Sequence, residues 1–175
     1  MVPQVDAETL FVEMVCNHIT TQKIFRQDGF RETAIEVDLM PARAYTAEAS
    51  ANGRVSTVLG FLPRIPREQT LNIPAHLLDF VTACYGEYSE PRRFVTESIP
   101  GTGATIGESM TFTEAGVMRL FVRRPGVDFS EWLAGHMASA DSANTAVVQV
   151  FLNVVGSGID VAVATLEAAG FFPAE

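Results

Sequence analysis

The chain has 175 residues, 47% of them hydrophobic and 19% charged. That balance excludes a disordered chain and is enough to bury a core without disulfides or metals. Twenty-one acidic against 12 basic residues give a formal charge of −9, which argues against nucleic acid or an anionic membrane as partner, since both select Lys- and Arg-rich faces.

Cys16 and Cys84 stand far apart with no CxxC and no metal-type spacing, and read as reduced core thiols. No charged segment precedes an apolar run at the N-terminus. The most apolar stretch, 146–172, is interrupted by Gln149, Asn153, Asp160 and Glu167. The expectation is a soluble, cytoplasmic protein with no secretion signal and no membrane span.

In chain order, Thr9–Val15 (TLFVEMV) predicts a short buried strand, and 18–28 a helix with Ile19, Ile24 and Phe25 on its apolar side. Gly29 sits where a C-capping glycine belongs. Residues 33–39 (TAIEVDL) alternate and are stopped by Pro41; 54–62 (RVSTVLGFL) read as the next strand, before the break at Pro63 and Pro66. Pro74 fits the first turn of a helix to about Tyr85, with Leu77, Leu78, Phe80, Val81 and Cys84 as its apolar set. Strands are predicted at 93–97, 108–114 and 117–123, the last two joined by an Ala115-Gly116 turn. Asp128 is placed as N-cap of a helix to Ala138. A strand at 146–154 and a helix at 159–169, ended by Gly170, complete the chain. This order predicts an α/β (α+β mixed) fold, a central mixed sheet flanked by helices. Residues 1–62 and 63–175 form two blocks, as one compact unit or exchanged in a dimer.

One pattern recurs. Leu10–Phe30 can be laid on Phe151–Phe171 without a gap, both Gly-Phe pairs in register. Each copy is a strand, a turn, a helix of about three turns and a capping glycine.

On these residues the chain resembles the GNAT family of acyl-CoA N-acyltransferases. That family ends in a strand, a helix patterned Asn-x-x-Ala-x-x-Leu-Tyr-x-x-x-Gly-Phe, and two closing strands. His18, Thr21, Ile24, Phe25, Gly29 and Phe30 fall on those positions in the first copy, with 33–39 and 54–62 as closing strands. Ile159, Ala162, Thr165, Leu166, Gly170 and Phe171 fall on them in the second. The chain is more similar still to degenerate GNAT-like modules attached to bacterial anti-sigma-type ATP-binding domains, through HITTQKIFRQDGFRETAIEVDLMP, PREQTLNIP and LEAAGFFPAE. The resemblance implies a GNAT-like sheet with permuted elements. The first block would supply its last elements, and the second its earlier ones. Strands 33–39 and 54–62 would then cover the sheet edge left open after 146–154, within one chain or across a homodimer.

Acyl transfer needs a pyrophosphate cradle, a base for the amine and a proton for the leaving thiolate. The family's cradle is a run like Arg/Gln-x-x-Gly-x-Gly/Ala, whose backbone N–H groups and helix N-terminus hold the phosphates. It corresponds here to Val122-Arg123-Arg124-Pro125-Gly126-Val127-Asp128. The resemblance thus implies Arg123, Arg124 and Gly126, with Asn153, as the residues that hold acetyl-CoA or another acyl-CoA. This run has one glycine where two small residues are expected, Pro125 lacks an N–H, and Asp128 puts negative charge where phosphate should sit. The plainer alternative is two solvent-facing arginines before a capped helix. Phe25 and Leu166 occupy the positions of the family's general-acid tyrosine, while Tyr45, Tyr85 and Tyr88 lie elsewhere. Glu97, Glu108 and Glu114, on the middle strands, are the candidate bases; glutamates facing solvent are the plainer reading.

The run Pro100–Gly107 lacks the Gly-Lys-Ser/Thr ending of a phosphate loop and reads as a flexible connection between strands. His18, His76 and His136 are scattered, and no metal site is expected. Ser157 is not in a nucleophile elbow. Trp132, with Phe129 and Leu133, reads as a buried helix face. Two functional readings follow: an acyl-CoA-dependent N-acyltransferase whose acceptor is unknown, or a non-catalytic GNAT-like ligand-binding or regulatory interaction module.

Overall fold

The computed structural model describes residues 7–44, 52–65, 67–86 and 91–174. Tyr45, Pro66 and Tyr88 lie outside these residues. The elements are β1 (Thr9–Val15), α1 (Thr20–Gln27), β2 (Arg31–Pro41), β3 (Arg54–Pro63), β4 (Gln69–Asn72), α2 (Leu78–Tyr85) and β5 (Arg92–Val95). They continue with β6 (Ile106–Phe112), β7 (Val117–Arg124), α3 (Phe129–Ser142), β8 (Val147–Leu152) and α4 (Ile159–Ala168). The class is mixed α/β, as the sequence predicts. No helix among the described residues is long and apolar enough to cross a membrane.

The chain divides into two compact units. The first holds an antiparallel sheet in the order β1-β3-β2, with Phe11 opposite Phe61 and Glu36 opposite Thr57. Strand β2 runs through Pro41 rather than stopping before it. An edge strand tolerates the missing N–H. Its alternation breaks between Glu36 and Met40, where the register shifts. Asp38 takes a left-handed φ of 51°, and Arg54 donates to the carbonyl oxygens of Asp38 and Leu39. The break turns Leu39 into the core, while Ile35 and Val37 are left exposed. Glu36 is buried and accepts a hydrogen bond from the Thr57 hydroxyl at 2.8 Å, which offsets part of the cost of removing its carboxyl from water.

In the second unit β4 and β5 pair in parallel, and β6-β7-β8 form a mixed sheet: β6 antiparallel to β7, β7 parallel to β8. Strand β4 (QTLN) is too short and polar to show a period and is absent from the sequence reading. Helix α3 is the crossover that a parallel β7–β8 pair requires. Met118, Leu120 and Val122 of β7 pack against Phe129, Leu133 and Ala140 of α3 and against Ala162 and Leu166 of α4. Leu120 and Ala162 have no exposed surface. Strand β8 hydrogen-bonds to β7, and β2 and β3 pair within the sheet that holds β1.

The recurring pattern ends its helix the same way twice. Gly29 (φ 93°) donates to Arg26 O and Phe30 N to Phe25 O; Gly170 (φ 88°) donates to Glu167 O and Phe171 N to Leu166 O. Both are Schellman motifs, with the accompanying apolar contact between C″ and C3. In the first, the Phe25 and Phe30 rings meet edge to face at 5.1 Å; in the second, Leu166 and Phe171 share the core.

The two thiols lie outside the core, contrary to expectation: Cys16 is exposed and Cys84 half-buried. Cys16 falls just past the end of β1, in the turn before α1.

Two glycines with empty space around their missing Cβ, Gly135 within α3 and Gly170 after α4, respond oppositely to alanine. Gly170→Ala forces a side chain into the left-handed region and destabilises by about 1–2 kcal/mol. Gly135→Ala removes a helix-interior glycine and stabilises by up to about 1 kcal/mol. Urea unfolding followed by circular dichroism reads both.

Candidate functional site

The turn from β7 into α3 is the place where the GNAT resemblance implies an anion cradle. Pro125 and Gly126 are buried there. The segment before β6 comes down on them. A Cβ on Gly126 would overlap the backbone of Ala104 and Thr105, so only glycine fits. Gly101 and Gly158 approach each other over Pro125 O, and Gly158 N donates to Ile99 O at 2.7 Å.

The hydrogen bonds close this arrangement. Gly126 N donates to Thr105 Oγ1 at 3.0 Å, and Val127 N to Gly103 O at 2.9 Å. Thr105 in turn donates its amide and its hydroxyl to Asp128 Oδ1, both at 2.7 Å. The Pro100–Gly107 run does connect two strands, β5 and β6, but it is latched onto the β7–α3 turn through these bonds. Asp128 precedes α3 as expected, yet its side chain makes no capping bond to the helix; it caps the other loop. The two bonds from Thr105 hold the Asp128 carboxyl below the usual aspartate range, because they stabilise its charged form.

Arg123, Arg124, Gly126 and Asn153 are brought together where β7 and β8 end. Asn153 N donates to Val122 O at 2.9 Å, its side-chain amide to Arg123 O at 3.2 Å, and its Oδ1 accepts from Val155 N at 3.1 Å. It ties the two parallel strand ends together. Arg123 and Glu108 pair at 2.8 Å, both exposed. Glu108 keeps the guanidinium pKa above its already high ordinary value. Arg124 is exposed beside Gly103.

The three candidate bases do not assemble. Glu108 is on β6, as expected, and is engaged by Arg123. Glu97 lies beyond the end of β5, which stops at Val95, and Glu114 lies in the turn after β6, which stops at Phe112. Glu114 and Arg123 are at opposite ends of β7, roughly 20 Å apart at the rise of a strand. β5 ends two residues before the predicted end, and β6 keeps its predicted length but lies two residues earlier in the chain, because 113–116 are taken up by the hairpin turn.

His76 pairs with Glu167 at 2.8 Å, and His136 packs edge-on against Trp132. Among the described residues no group of three His, Cys, Asp or Glu side chains could hold a metal ion. The residue missed from the sequence is Thr105. It stands 23 positions from Asp128, and no local pattern joins the two. Of the amides of this turn, those of Gly126 and Val127 already have acceptors from the same chain, and the Asp128 carboxylate sits beside them.

Replacing Thr105 by Val removes the acceptor of Gly126 N and leaves that of Val127 intact. Hydrogen exchange should show the Gly126 amide losing protection while Val127 keeps it, with a stability loss on the order of 1–3 kcal/mol. The pH dependence follows from the lowered Asp128 pKa: its contribution is fully present above the ordinary aspartate pKa and is lost as pH falls through the folded one. Melts between about pH 2 and 6 should therefore show a shallower acid limb for Asp128→Asn than for the native chain. Comparison with protein-family models, with curated proteins and with solved structures gives no match to this chain.

Proposed function

We propose that this chain is a non-catalytic GNAT-like module serving ligand binding or regulatory interaction, in which the acyl-CoA cradle is filled by the chain itself. The observation that carries the reading is the pair of amides, Gly126 N and Val127 N, bonded to Thr105 Oγ1 and Gly103 O. A pyrophosphate would need those donors and would meet the Asp128 carboxylate beside them. Likeness to the GNAT arrangement is supported by strand-helix-strand-strand in the first unit and by β7, turn, α3, parallel β8, α4 in the second. Loss of turnover is supported at the tyrosine positions. Phe25 and Leu166 supply the apolar contacts of the helix caps and have no proton to give.

The acyltransferase reading keeps one observation in its favour, the convergence of Arg123, Arg124 and Asn153 at the ends of β7 and β8. Calorimetric and thermal-shift titration with CoA and acetyl-CoA separates the two. The module reading expects no saturable binding up to about 1 mM. A ligand present at 100 times its Kd would add about 2.7 kcal/mol and be seen at once. It also expects the Arg123→Ala, Arg124→Ala double variant to melt together with the native chain, since exposed ion pairs contribute little. Saturable binding weakened by that double substitution, together with acetyl-CoA consumption in the presence of amines, would overturn the reading in favour of the transferase.

A further inference from the structure

Strand β6 is the most open element of the second unit. Six of its seven residues are exposed, whereas β8, at the other edge of the same sheet, is half-buried along most of its length. Three large apolar side chains stand on β6: Ile106 at 47%, Met110 at 52% and Phe112 at 39% exposure. Among the described residues β6 has a strand partner, β7, on one side only. The usual devices that blunt such an edge are a proline, a bulge in the edge strand or several charges. β6 has no proline and one charge, Glu108, which is paired with Arg123. Its register shift against β7, between Ile106 and Gly107, leaves the extra residue, Arg123, on β7. β6 itself runs regularly. At Gly107 there is no room for a side chain, since a Cβ there would meet Phe121 O and the Trp132 ring, each at 2.9 Å.

A row of open backbone donors and acceptors is completed by another strand, and the sequence of β6 fits its own. We propose that two copies of this chain pair antiparallel through β6, with the two-fold axis at Ser109. This register alone overlaps all seven residues. It sets Ser109 opposite Ser109, Gly107 opposite Thr111, and Ile106 opposite Phe112, so that both ends of the ladder are apolar pairs. It also sets Glu108 opposite Met110 and keeps the two carboxylates from facing each other. Moving the axis to Glu108 would put like charges in direct opposition, which is unfavourable in a sheet. The result is one continuous six-stranded sheet, β8-β7-β6-β6-β7-β8, across both copies.

The register makes charge at position 110 diagnostic. Met110→Glu places two carboxylates opposite each other on both sides of the axis, whereas Met110→Lys places an ammonium opposite each Glu108. Sedimentation equilibrium from about 1 to 100 µM should show a native dimer. Met110→Glu should weaken it by several-fold to about 30-fold, and Met110→Lys should hold or tighten it. Independently, S109C in a Cys16→Ser, Cys84→Ser background should cross-link on mild oxidation, because paired positions on antiparallel strands lie about 4.5–5.5 Å apart. T111C, opposite Gly107, should not. A native chain that stays monomeric throughout, or a dimer indifferent to the sign of the charge at 110 and without the S109C cross-link, overturns the proposal.

Discussion

Asp128 Oδ1 receives two hydrogen bonds from one residue, Thr105, whose hydroxyl in turn receives the amide of Gly126. A carboxylate at the start of a helix is ordinarily spent on that helix's own first amides. Here it is spent on a segment 23 residues earlier, and that choice fixes what surrounds it. It draws the 101–105 segment onto the β7–α3 turn, requires glycine at 126 for want of room, and aligns the start of α3 over the core residues of β7. The turn is held by contacts from outside itself, so its shape is independent of any bound anion.

The paired helix caps show a second economy of the sequence. Two segments with almost no identity beyond Gly-Phe reach the same hydrogen-bond pattern, because the motif asks only for left-handed tolerance at one position and apolar contact between two others. The same geometry explains why the residue three before the glycine's predecessor is apolar in both copies. Phe25 and Leu166 are partners of Phe30 and Phe171 before they are anything else.

Local chemistry was legible. The turn glycines, the Thr9–Val15 strand, the helices after residues 18, 128 and 158, and the hairpin at Ala115-Gly116 all rest on period and punctuation within a few residues; the burial expected of Thr9–Val15 does not follow, since Met14 alone is buried there and Phe11 is exposed. What failed to show was set by contacts distant in sequence. The alternation of 33–39 is set off by a register shift between Glu32 and Ala34, after which Glu36 is buried beside Thr57 and Ile35 and Val37 are exposed, and it is broken again after Glu36, where Arg54 holds the carbonyls of Asp38 and Leu39. Strand β4 exists because β5 lies beside it. The candidate site was legible in its place and in four residues that do converge, Arg123, Arg124, Gly126 and Asn153, but its closure was not. Thr105 and Asp128 each look ordinary, and the bond between them exists only once the chain is folded. Glu97 and Glu114 fell away for a similar reason, since strand ends are the least determined part of a pattern.

The parallel pairing of β7 with β8 also orders events in time. The β6–β7 hairpin closes over a four-residue turn and can form within microseconds. The β7–β8 ladder must wait for the whole of α3, because its two strands are joined only through that crossover. During synthesis, β7 emerges with Val117, Met118, Leu120 and Val122 on show, and no later strand can cover them until some two dozen further residues have left the ribosome. The nascent chain passes through an interval in which the most buried strand of its second unit is shielded on one edge alone, and the speed with which α3 winds decides how long that interval lasts.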